Sequence, residues 1–345
     1  MRLAVDVMGG DHAPEAILKG CIGAIGELSP DDEIVLVGPK DLITDMMKEW
    51  GVSDPRFVIE HAPDAIAMHE QPARAVRSKA DSSIVRMALL GSKKVDRPCD
   101  VVLSAGNTGA CVAAAIMHMK RLPGVHRPGI AVTIPAFHGP IVLCDAGANP
   151  EPRATHLWQY GVMADTYAKH VLGMREPRVA LMNIGSEEGK GSDLVKEARD
   201  LIRETPNINY IGFVEGRDFF AGAADVIITD GFVGNTILKM AEGMAKSLFE
   251  AIAQEIFDLD PKLALQFEPV VKQIYAKNDY HEYGGAPLLG VNGAMMIAHG
   301  SSQPRTITAA IRNSKAFIRT AVNDAIVARI AEVENAMGRR LVEPA

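Results

Sequence analysis

The sequence predicts an α/β protein of three layers, in which helices cover both faces of a mainly parallel, Rossmann-like sheet. Short unbroken runs of Val, Ile and Leu alternate along the chain with longer stretches of helical periodicity. Such apolar runs are typical of strands that are covered on both faces, and their alternation with helices is typical of βαβ units. Glycine-rich loops follow many of the runs, as in folds that bind ligands at the carboxyl ends of strands.

Nine apolar runs are predicted as buried strands. In chain order they are 3–7, 33–37, 57–60, 100–104, 130–134, 140–144, 178–183, 210–214 and 225–229. Two further short strands, 286–291 and 294–298, flank Asn292-Gly293. This dipeptide favours a tight turn between antiparallel strands.

Stretches with a period near 3.6 residues are predicted as helices. They are 15–28, 73–91, 108–121, 154–171, 191–204 and 236–257, with a long helix at about 305–337. We interpret 1–345 as one catalytic domain. The alternative is a division into two lobes, with the boundary in the Pro- and Gly-containing stretch 121–129.

The segment 256–274 is predicted to form a helical protrusion. Its apolar residues recur at steps of three and four, and Pro261 and Pro269 each favour a helix start or a break. Core packing, a dimer contact and contact with lipid or the acyl chain are three alternatives for its apolar tip. The candidate membrane-contact residues are Leu263, Leu265 and Phe267.

Composition and charge exclude several classes of protein. The chain has 345 residues, of which 48% are hydrophobic, so it is long enough to bury a large core. Its net charge of −7 argues against binding to nucleic acid. No apolar run approaches the roughly 20 residues of a membrane span, and the N-terminus becomes acidic too early for a secretory signal. Four distant cysteines indicate reduced thiols in the cytoplasm rather than a zinc site or disulfides.

Basic residues are concentrated between residues 72 and 130. This segment has ten Lys and Arg against three acidic residues, although the whole chain is acidic. An ordinary solvated surface is one interpretation, and a docking surface for an acidic partner is the other. The candidate docking residues are Arg74, Arg77 and Lys94.

Seven glycine-containing loops are the most informative feature of the sequence. They are 8–14, 104–110, 145–150, 183–192, 215–218, 230–236 and 283–294. Glycine lets backbone N–H groups approach an anion, and a helix start offers further donors. A tight strand-to-helix turn needs glycine anyway, but so many polar loops favour a cleft for phosphate or carboxylate. The candidate binding residues are Gly9, Gly10, Ser104, Gly106, Asn107, Thr108, Gly147, Asn149, Ser186, Gly189 and Gly234.

Familiar nucleotide, hydrolase and metal motifs are absent from the sequence. There is no G-x-x-x-x-G-K-[ST] and no G-x-S-x-G, and Gly189-Lys190-Gly191 lacks the third glycine of a dinucleotide fingerprint. His69-Glu70 does not continue to H-E-x-x-H. The sequence therefore predicts anion-binding loops without a covalent nucleophile, a cofactor or a metal.

The loops and the opening of the chain resemble the phosphate acyltransferase family of bacterial phospholipid synthesis. The resemblance runs from Val5 to about Asn313, with the segments in the family's order. These segments are VDVMGGDHAP, SAGNTGA, DAGANP, NIGSEEGKG, EGRDFF, DGFVGN and GGAPLLGVNG.

This resemblance implies an enzyme that converts acyl-[acyl-carrier-protein] and inorganic phosphate into acyl phosphate. It also implies a homodimer, no metal or cofactor, and peripheral association with the cytoplasmic membrane. The family is distantly similar to phosphotransacetylases, which use coenzyme A thioesters. The resemblance to the phosphate acyltransferase family also implies that Lys190 and Asn235 are functional residues.

Phosphate is already a nucleophile and a thioester is already activated, so the chemistry needs position and charge more than a covalent relay. Lys190, in its glycine loop, is the candidate cation for phosphate or the oxyanion. The alternative is a solvated lysine paired with Glu187 or Glu188.

Asn235 and His69 are the other two candidate catalytic residues. Asn235 is the candidate neutral donor, and the alternative is a pure N-cap at the start of the predicted helix 236–257. His69, in the loop 68–72, is the candidate proton donor for the leaving thiol, and the alternative is an incidental loop histidine.

Three competing functions are weighed against acyl transfer from the carrier protein. A phosphotransacetylase using coenzyme A thioesters differs only in the acyl donor. A non-catalytic module that senses an acyl or phosphorylated ligand needs only one anion site, whereas this chain offers several loops. Hydride transfer with a nicotinamide cofactor is disfavoured by the missing fingerprint.

Overall fold

Eleven strands form one mixed sheet in the computed structural model, which describes residues 1–136, 138–277 and 283–338. Each strand lies within two residues of a predicted one, because the unbroken apolar runs mark strands covered on both faces. The strands are β1 (Arg2–Asp6), β2 (Glu33–Gly38), β3 (Phe57–His61), β4 (Val101–Ser104), β5 (Gly129–Ile134), β6 (Ile141–Cys144), β7 (Arg178–Met182), β8 (Asn209–Val214), β9 (Val226–Ile228), β10 (Ala286–Leu289) and β11 (Ala294–Ile297).

The strand order is β3-β2-β1-β4-β11-β10-β5-β6-β9-β7-β8. The sheet consists of two parallel halves, β3 to β11 and β6 to β8, which three antiparallel pairings around β10 and β5 connect. The two halves therefore run in opposite directions. The connection between β5 and β6 is too short for a crossover helix, which explains why these strands pair as a hairpin.

Helices cover both faces of the sheet, so the predicted three-layer α/β fold is confirmed. They are α1 (Glu15–Gly23), α2 (Lys40–Glu49), α3 (Pro72–Ser78), α4 (Ser83–Leu90), α5 (Thr108–Ala114), α6 (Ala154–His170), α7 (Asp193–Arg203), α8 (Gly231–Leu259), α9 (Pro261–Lys277), α10 (Pro304–Arg319) and α11 (Val322–Ala336). The helix α2 is an addition that the sequence analysis missed.

Two predicted single helices are wrong, because each is divided in the structure. The stretch 73–91 forms α3 and α4, since the chain between them makes a bridge to Asp64 that a continuous helix would not allow. The stretch 305–337 forms α10 and α11, which Ala321 separates with a left-handed φ of 46°. A non-glycine residue in that region cannot continue a right-handed helix.

The core lies on both faces of the sheet. One large apolar cluster surrounds the fully buried Trp158 and Tyr160 of α6, and a second packs α4 and α5 against the first half of the sheet. All four cysteines are free and buried. Burial raises the pKa of the Cys21 thiol to about 12, so it stays protonated at neutral pH.

The chain turns at Asp260, between α8 and α9. Pro261 begins α9, whereas Pro269 lies inside it, so the expected break at Pro269 is absent. Leu265 and Phe267 on α9 are 71% and 44% exposed, and Leu263 is half-buried. Among the described residues, no helix is long and apolar enough to cross a membrane.

Candidate functional site

The second half of the sheet gathers three of the glycine loops. The strands β6, β9 and β7 are neighbours and run parallel, so the loops that follow them leave the sheet side by side. They are the predicted loops 145–150, 183–192 and 230–236, the last of which contains the start of α8. Ligands bind at such strand ends in open α/β sheets.

Asp145 organises the first of these loops. Its fully buried carboxylate accepts hydrogen bonds from the backbone N–H groups of Ile130, Gly147, Ala148 and Asn149, at 2.7–3.2 Å. The N–H groups of Gly147 and Asn149 are therefore directed to an internal carboxyl group, whose burial raises its pKa. In this conformation these two donors are already engaged within the protein.

Close packing joins the same loop to the start of α8. Gly231 N donates to Asn149 O at 2.8 Å, and a Cβ on Gly234 would overlap the carbonyl oxygen of Asp145. Gly147 has a φ of 138°, and a Cβ there would make an ordinary van der Waals contact with Asn235, 3.6 Å from its Cβ. The glycines thus permit a backbone contact that presents Asn235 beside the loop.

Asn235 is not the N-cap of its helix, so that alternative is wrong. The helix begins at Gly231, because the Asp230 carboxylate caps it by accepting from Val233 N at 2.8 Å. Asn235 therefore lies in the second turn of α8, where its side chain is exposed.

Lys190 lies in the loop after β7, which Asn183 closes. The buried Asn183 amide donates to Gly185 O and Lys190 O, at 3.1 and 3.2 Å. Asn183 was missed by sequence analysis, although a polar residue directly after a buried strand is a recognisable signal. Ser186 and Gly189 lie in the same loop and are exposed.

The ammonium group of Lys190 has no salt bridge within the described part of the chain. Glu188 instead pairs with Arg199 and Arg203, both on α7. The alternative in which Glu188 neutralises Lys190 is therefore wrong. An exposed cation without a carboxylate partner is available to an anionic ligand.

The first half of the sheet holds a second set of loops, after β1 and β4. Ser104 Oγ donates to the buried Asp6 carboxylate at 2.7 Å and accepts from Gly106 N at 3.0 Å. A Cβ on Gly9 would lie 2.7 Å from the backbone nitrogen of Gly106, so the close approach of the two loops requires glycine. Gly10 packs beside Gly300 at a φ of 107°.

Asn107 is occupied by structural hydrogen bonds. Its side-chain oxygen accepts from Ala110 N at 3.1 Å, at the start of α5, where Thr108 is the first residue. Its amide group donates to the carbonyl oxygens of Ala67, Met68 and Glu70, at 3.1–3.2 Å. Asn107 thereby holds the loop that presents the exposed His69.

The two sets of loops do not form a single row, because the halves of the sheet run in opposite directions. They are linked by α8 instead. Glu242 of α8 lies 4.0 Å from His299, next to the Gly300 that packs on Gly10. Asn235 and Glu242 are seven residues apart, about 10 Å along a helix that rises 1.5 Å per residue.

The candidate docking residues are on or near the surface of the first half. Arg74 and Arg77 of α3 and Lys94 are exposed, and no salt bridge to them is found in the described residues. Their neighbours Lys79 and Arg86 are paired with Glu70 and Asp81.

Known proteins similar to this chain match it over most of its length. Residues 1–325 match the family model described as "Fatty acid synthesis protein". A phosphate acyltransferase from Dictyoglomus turgidum is 41% identical, covering 95% of this chain and 97% of the relative. One from Desulfitobacterium hafniense is 43% identical, covering 93% of this chain and 95% of the relative.

Solved structures share the fold at low sequence identity. A phosphotransacetylase from Streptococcus pyogenes has a TM-score of 0.62 and 16% identity, covering 92% of this chain and 94% of its own. A branched-chain phosphotransacylase from Enterococcus faecalis has a TM-score of 0.56 and 12% identity, covering 93% of this chain and 99% of its own. The matched length and identity of the sequence relatives show that the chain is an acyltransferase and belongs to the phosphate acyltransferase family.

Proposed function

We propose that the protein transfers a fatty acyl group from acyl-[acyl-carrier-protein] to inorganic phosphate, forming acyl phosphate for phospholipid synthesis. The main support is the pairing of an unneutralised cation, Lys190, with an exposed amide, Asn235, at neighbouring strand ends. Phosphate acyltransferases are relatives over nearly the whole chain.

The reaction is a direct displacement. A phosphate oxygen attacks the thioester carbonyl carbon, the new C–O bond forms, and the C–S bond breaks with the electron pair leaving on sulfur. The proton of hydrogen phosphate compensates the departing thiolate, so acyl phosphate and free thiol result. The enzyme contributes position and stabilisation of the tetrahedral oxyanion.

In this proposal the ammonium group of Lys190 stabilises the negative charge of phosphate or of the oxyanion. The side-chain amide of Asn235 acts as a neutral N–H donor. Both are exposed, and each is held by a buried polar residue: Asn183 closes the loop of Lys190, and Asp145 organises the loop against Asn235. Electrostatic preorganisation of this kind requires donors whose positions are fixed before the substrate binds.

His69 is the proposed proton donor to the leaving thiolate, and the proton that hydrogen phosphate releases on acylation restores it. Asn107 holds its loop through three carbonyl groups, which gives the imidazole a defined backbone position. The loop belongs to the first half of the sheet, so this role requires the substrate to extend along α8 between the two sets of loops.

We assign carrier docking to Arg74, Arg77 and Lys94. Pro72, at the start of α3, packs against Gly109 of α5, which places the arginines beside the loop after β4. Exposed, unpaired cations favour association with an acidic carrier protein.

We further propose a homodimer with weak peripheral membrane association. The supporting observation is a row of exposed apolar side chains on α8, of which Met240 and Met244 are 68% and 75% exposed. The exposed Leu265 and Phe267, with the half-buried Leu263, form the proposed membrane-contact tip. Partly acidic surroundings make that contact mainly apolar.

The alternative acyl donor is a coenzyme A thioester, which the shared fold of the solved phosphotransacetylase supports. The test is an acyl-phosphate assay on the purified protein with phosphate and either long-chain acyl-carrier protein or the matching coenzyme A thioester. Turnover with the carrier substrate is expected, and turnover confined to the coenzyme A thioester would establish the alternative. Product from neither donor would refute both.

A further inference from the structure

A basic cavity of about 620 Å³ adjoins the Asp145 loop, which contributes Ala148 and Asn149 to its lining. It is lined by Arg127 and Arg153 together with His126, His156, Asn149 and Glu151. Pockets of this volume accommodate small-molecule ligands. We call it the basic pocket.

Two guanidinium groups converge on the basic pocket. Both Arg127 and Arg153 act electrostatically on the buried His156, so both charges lie near this imidazole. Neither arginine has a salt bridge within the residues that the structure describes. Glu151 lines the same cavity but is exposed and pairs with neither of them. Like charges brought together without a fixed counterion favour a bound anion.

The buried His156 of the pocket is hydrogen-bonded at both ring nitrogens. Arg153 N donates to His156 Nδ1 at 3.0 Å, which leaves the proton on His156 Nε2, 2.5 Å from His126 Nδ1. Burial, followed by the charges of His126, Arg127 and Arg153, lowers the pKa of His156 to about 4. A neutral His156 therefore lies beside the two cations at neutral pH.

The positive end of α6 points to the same place. This helix has 17 residues, its first is Ala154, and the flanking Arg153 and the first-turn His156 both line the cavity. A helix N-terminus adds N–H donors and a positive potential to the two guanidinium groups.

The pocket shares a wall with the candidate site. Asn149 lines the cavity, and its carbonyl oxygen accepts from Gly231 N, at the start of the helix that carries Asn235. A group bound in the basic pocket is therefore one loop away from the proposed reaction centre.

We propose that the basic pocket binds a phosphate group, held by Arg127 and Arg153. The source is either inorganic phosphate or the phosphate of a 4′-phosphopantetheine arm on the acyl donor. The choice between these two sources rests on the proposed function. Binding of a phosphate group in the basic pocket does not, because binding requires no turnover. Arg is suited to the role since its planar fork matches phosphate oxygens.

The first experiment measures binding by calorimetry, with inorganic phosphate, pantetheine 4′-phosphate and phosphate-free pantetheine as probes. Arg127→Gln and Arg153→Gln are expected to weaken binding of one phosphorylated probe about tenfold or more, the scale of losing a charge-assisted contact. Arg175→Gln is the matched control, because Arg175 is exposed near the opposite end of α6. Unaltered Kd values in both pocket variants, or no binding to the wild type, would overturn the proposal.

The second experiment identifies the source of the phosphate. A raised KM for phosphate alone assigns inorganic phosphate, whereas a raised KM for the thioester alone assigns the pantetheine arm. Arg127→Lys, which keeps the charge but loses the fork, should restore binding only partly. If the protein shows no acyl transfer but the calorimetric effects remain, the proposed function fails and the basic pocket stands.

Discussion

Asp6 and Asp145 have similar roles in the two halves of the sheet. Each is fully buried at the end of a strand, and each carboxylate is bound by the glycine loop that follows: Met8 N donates to Asp6, and three successive N–H groups donate to Asp145. Backbone N–H groups that look suited to phosphate in the sequence therefore already bind an internal carboxyl group. The substrate must rely on exposed side chains, which increases the importance of Lys190 and Asn235.

Lys190→Ala and Asn235→Ala should each lower turnover by roughly 10²–10³-fold, the cost of removing one donor to a developing oxyanion. Both residues are exposed, so the thermal midpoint should change little. Steady-state kinetics at saturating substrate, with Lys48→Ala on the distant α2 as control, provides the measurement. Near wild-type turnover in either variant would remove that residue from the mechanism.

His156 should make folding stability depend on pH. Its folded pKa of about 4 lies below the ordinary value of 6.5, so the unfolded chain takes up a proton first as the pH falls. The stabilising contribution is present above about pH 6.5 and declines towards pH 4. Relative to His156→Gln, the wild type should lose about 2–3 kcal/mol between pH 7 and pH 4.

Urea unfolding at a series of pH values provides this measurement. His170→Gln is the control, because His170 is exposed at the other end of the same helix. Parallel pH profiles for the wild type and His156→Gln would show that His156 is not the group responsible.

At the scale of elements, the contact between α8 and the Asp145 loop determines where Asn235 lies. Gly234→Ala forces a methyl group against the carbonyl oxygen of Asp145, so overpacking should cost about 1–3 kcal/mol and reduce turnover. Gly243→Ala, in the same helix, meets open space and should instead stabilise the protein by about 0.5–1 kcal/mol. Chemical denaturation of the pair tests this, and equal effects would contradict the packing argument.

The proposed docking surface for the carrier protein includes helix α3, which carries Arg74 and Arg77. Arg74→Glu and Arg77→Glu should slow association with the acidic carrier protein, raise the apparent KM for it at low salt, and have less effect as salt is added. Lys48→Glu makes the same charge change on the distant α2. An unaltered KM at low salt would leave these arginines as ordinary surface residues.

The positions of the strands and helices could be predicted from the sequence more accurately than the breaks and connections between them. Apolar runs placed all eleven strands, because burial on both faces is a local property. The helix breaks at 79–82 and Ala321 depend on tertiary contacts and a left-handed φ, which no local pattern shows. The N-cap role of Asp230 was recognisable from its residue type, yet the start of α8 was placed five residues too late.

At the scale of the whole molecule, the opposed halves of the sheet could not be predicted from the strands alone. Two local signals bear on it: the Asn292-Gly293 turn between the antiparallel β10 and β11, and the short connection between β5 and β6, which excludes a crossover helix. As a result the glycine loops form two sets, and α8 extends from one to the other before it leads into α9. One helix thus connects the proposed reaction centre with the proposed membrane-contact tip.

The exposed apolar residues of α9 are expected to contact the phospholipid surface directly. Leu265 is 71% exposed, whereas Leu263 is half-buried. A substitution of Leu265 therefore tests surface contact, and a substitution of Leu263 also affects packing. Leu265→Glu should reduce sedimentation with phospholipid vesicles several-fold, because a charge opposes insertion of an apolar tip. The double variant with Leu263→Glu should release the protein further while leaving turnover of water-soluble substrates intact.

The control for this experiment is Leu42→Glu, which places the same charge at an exposed apolar residue of α2, in the first half of the sheet. Oligomeric state, measured by light scattering for every variant, separates membrane contact from subunit contact. If Leu265→Glu binds vesicles as the wild type does, the tip does not contact lipid. If it dissociates to monomers, the exposed face of α9 is a subunit contact, because a surface that only touches lipid has no effect on assembly in its absence.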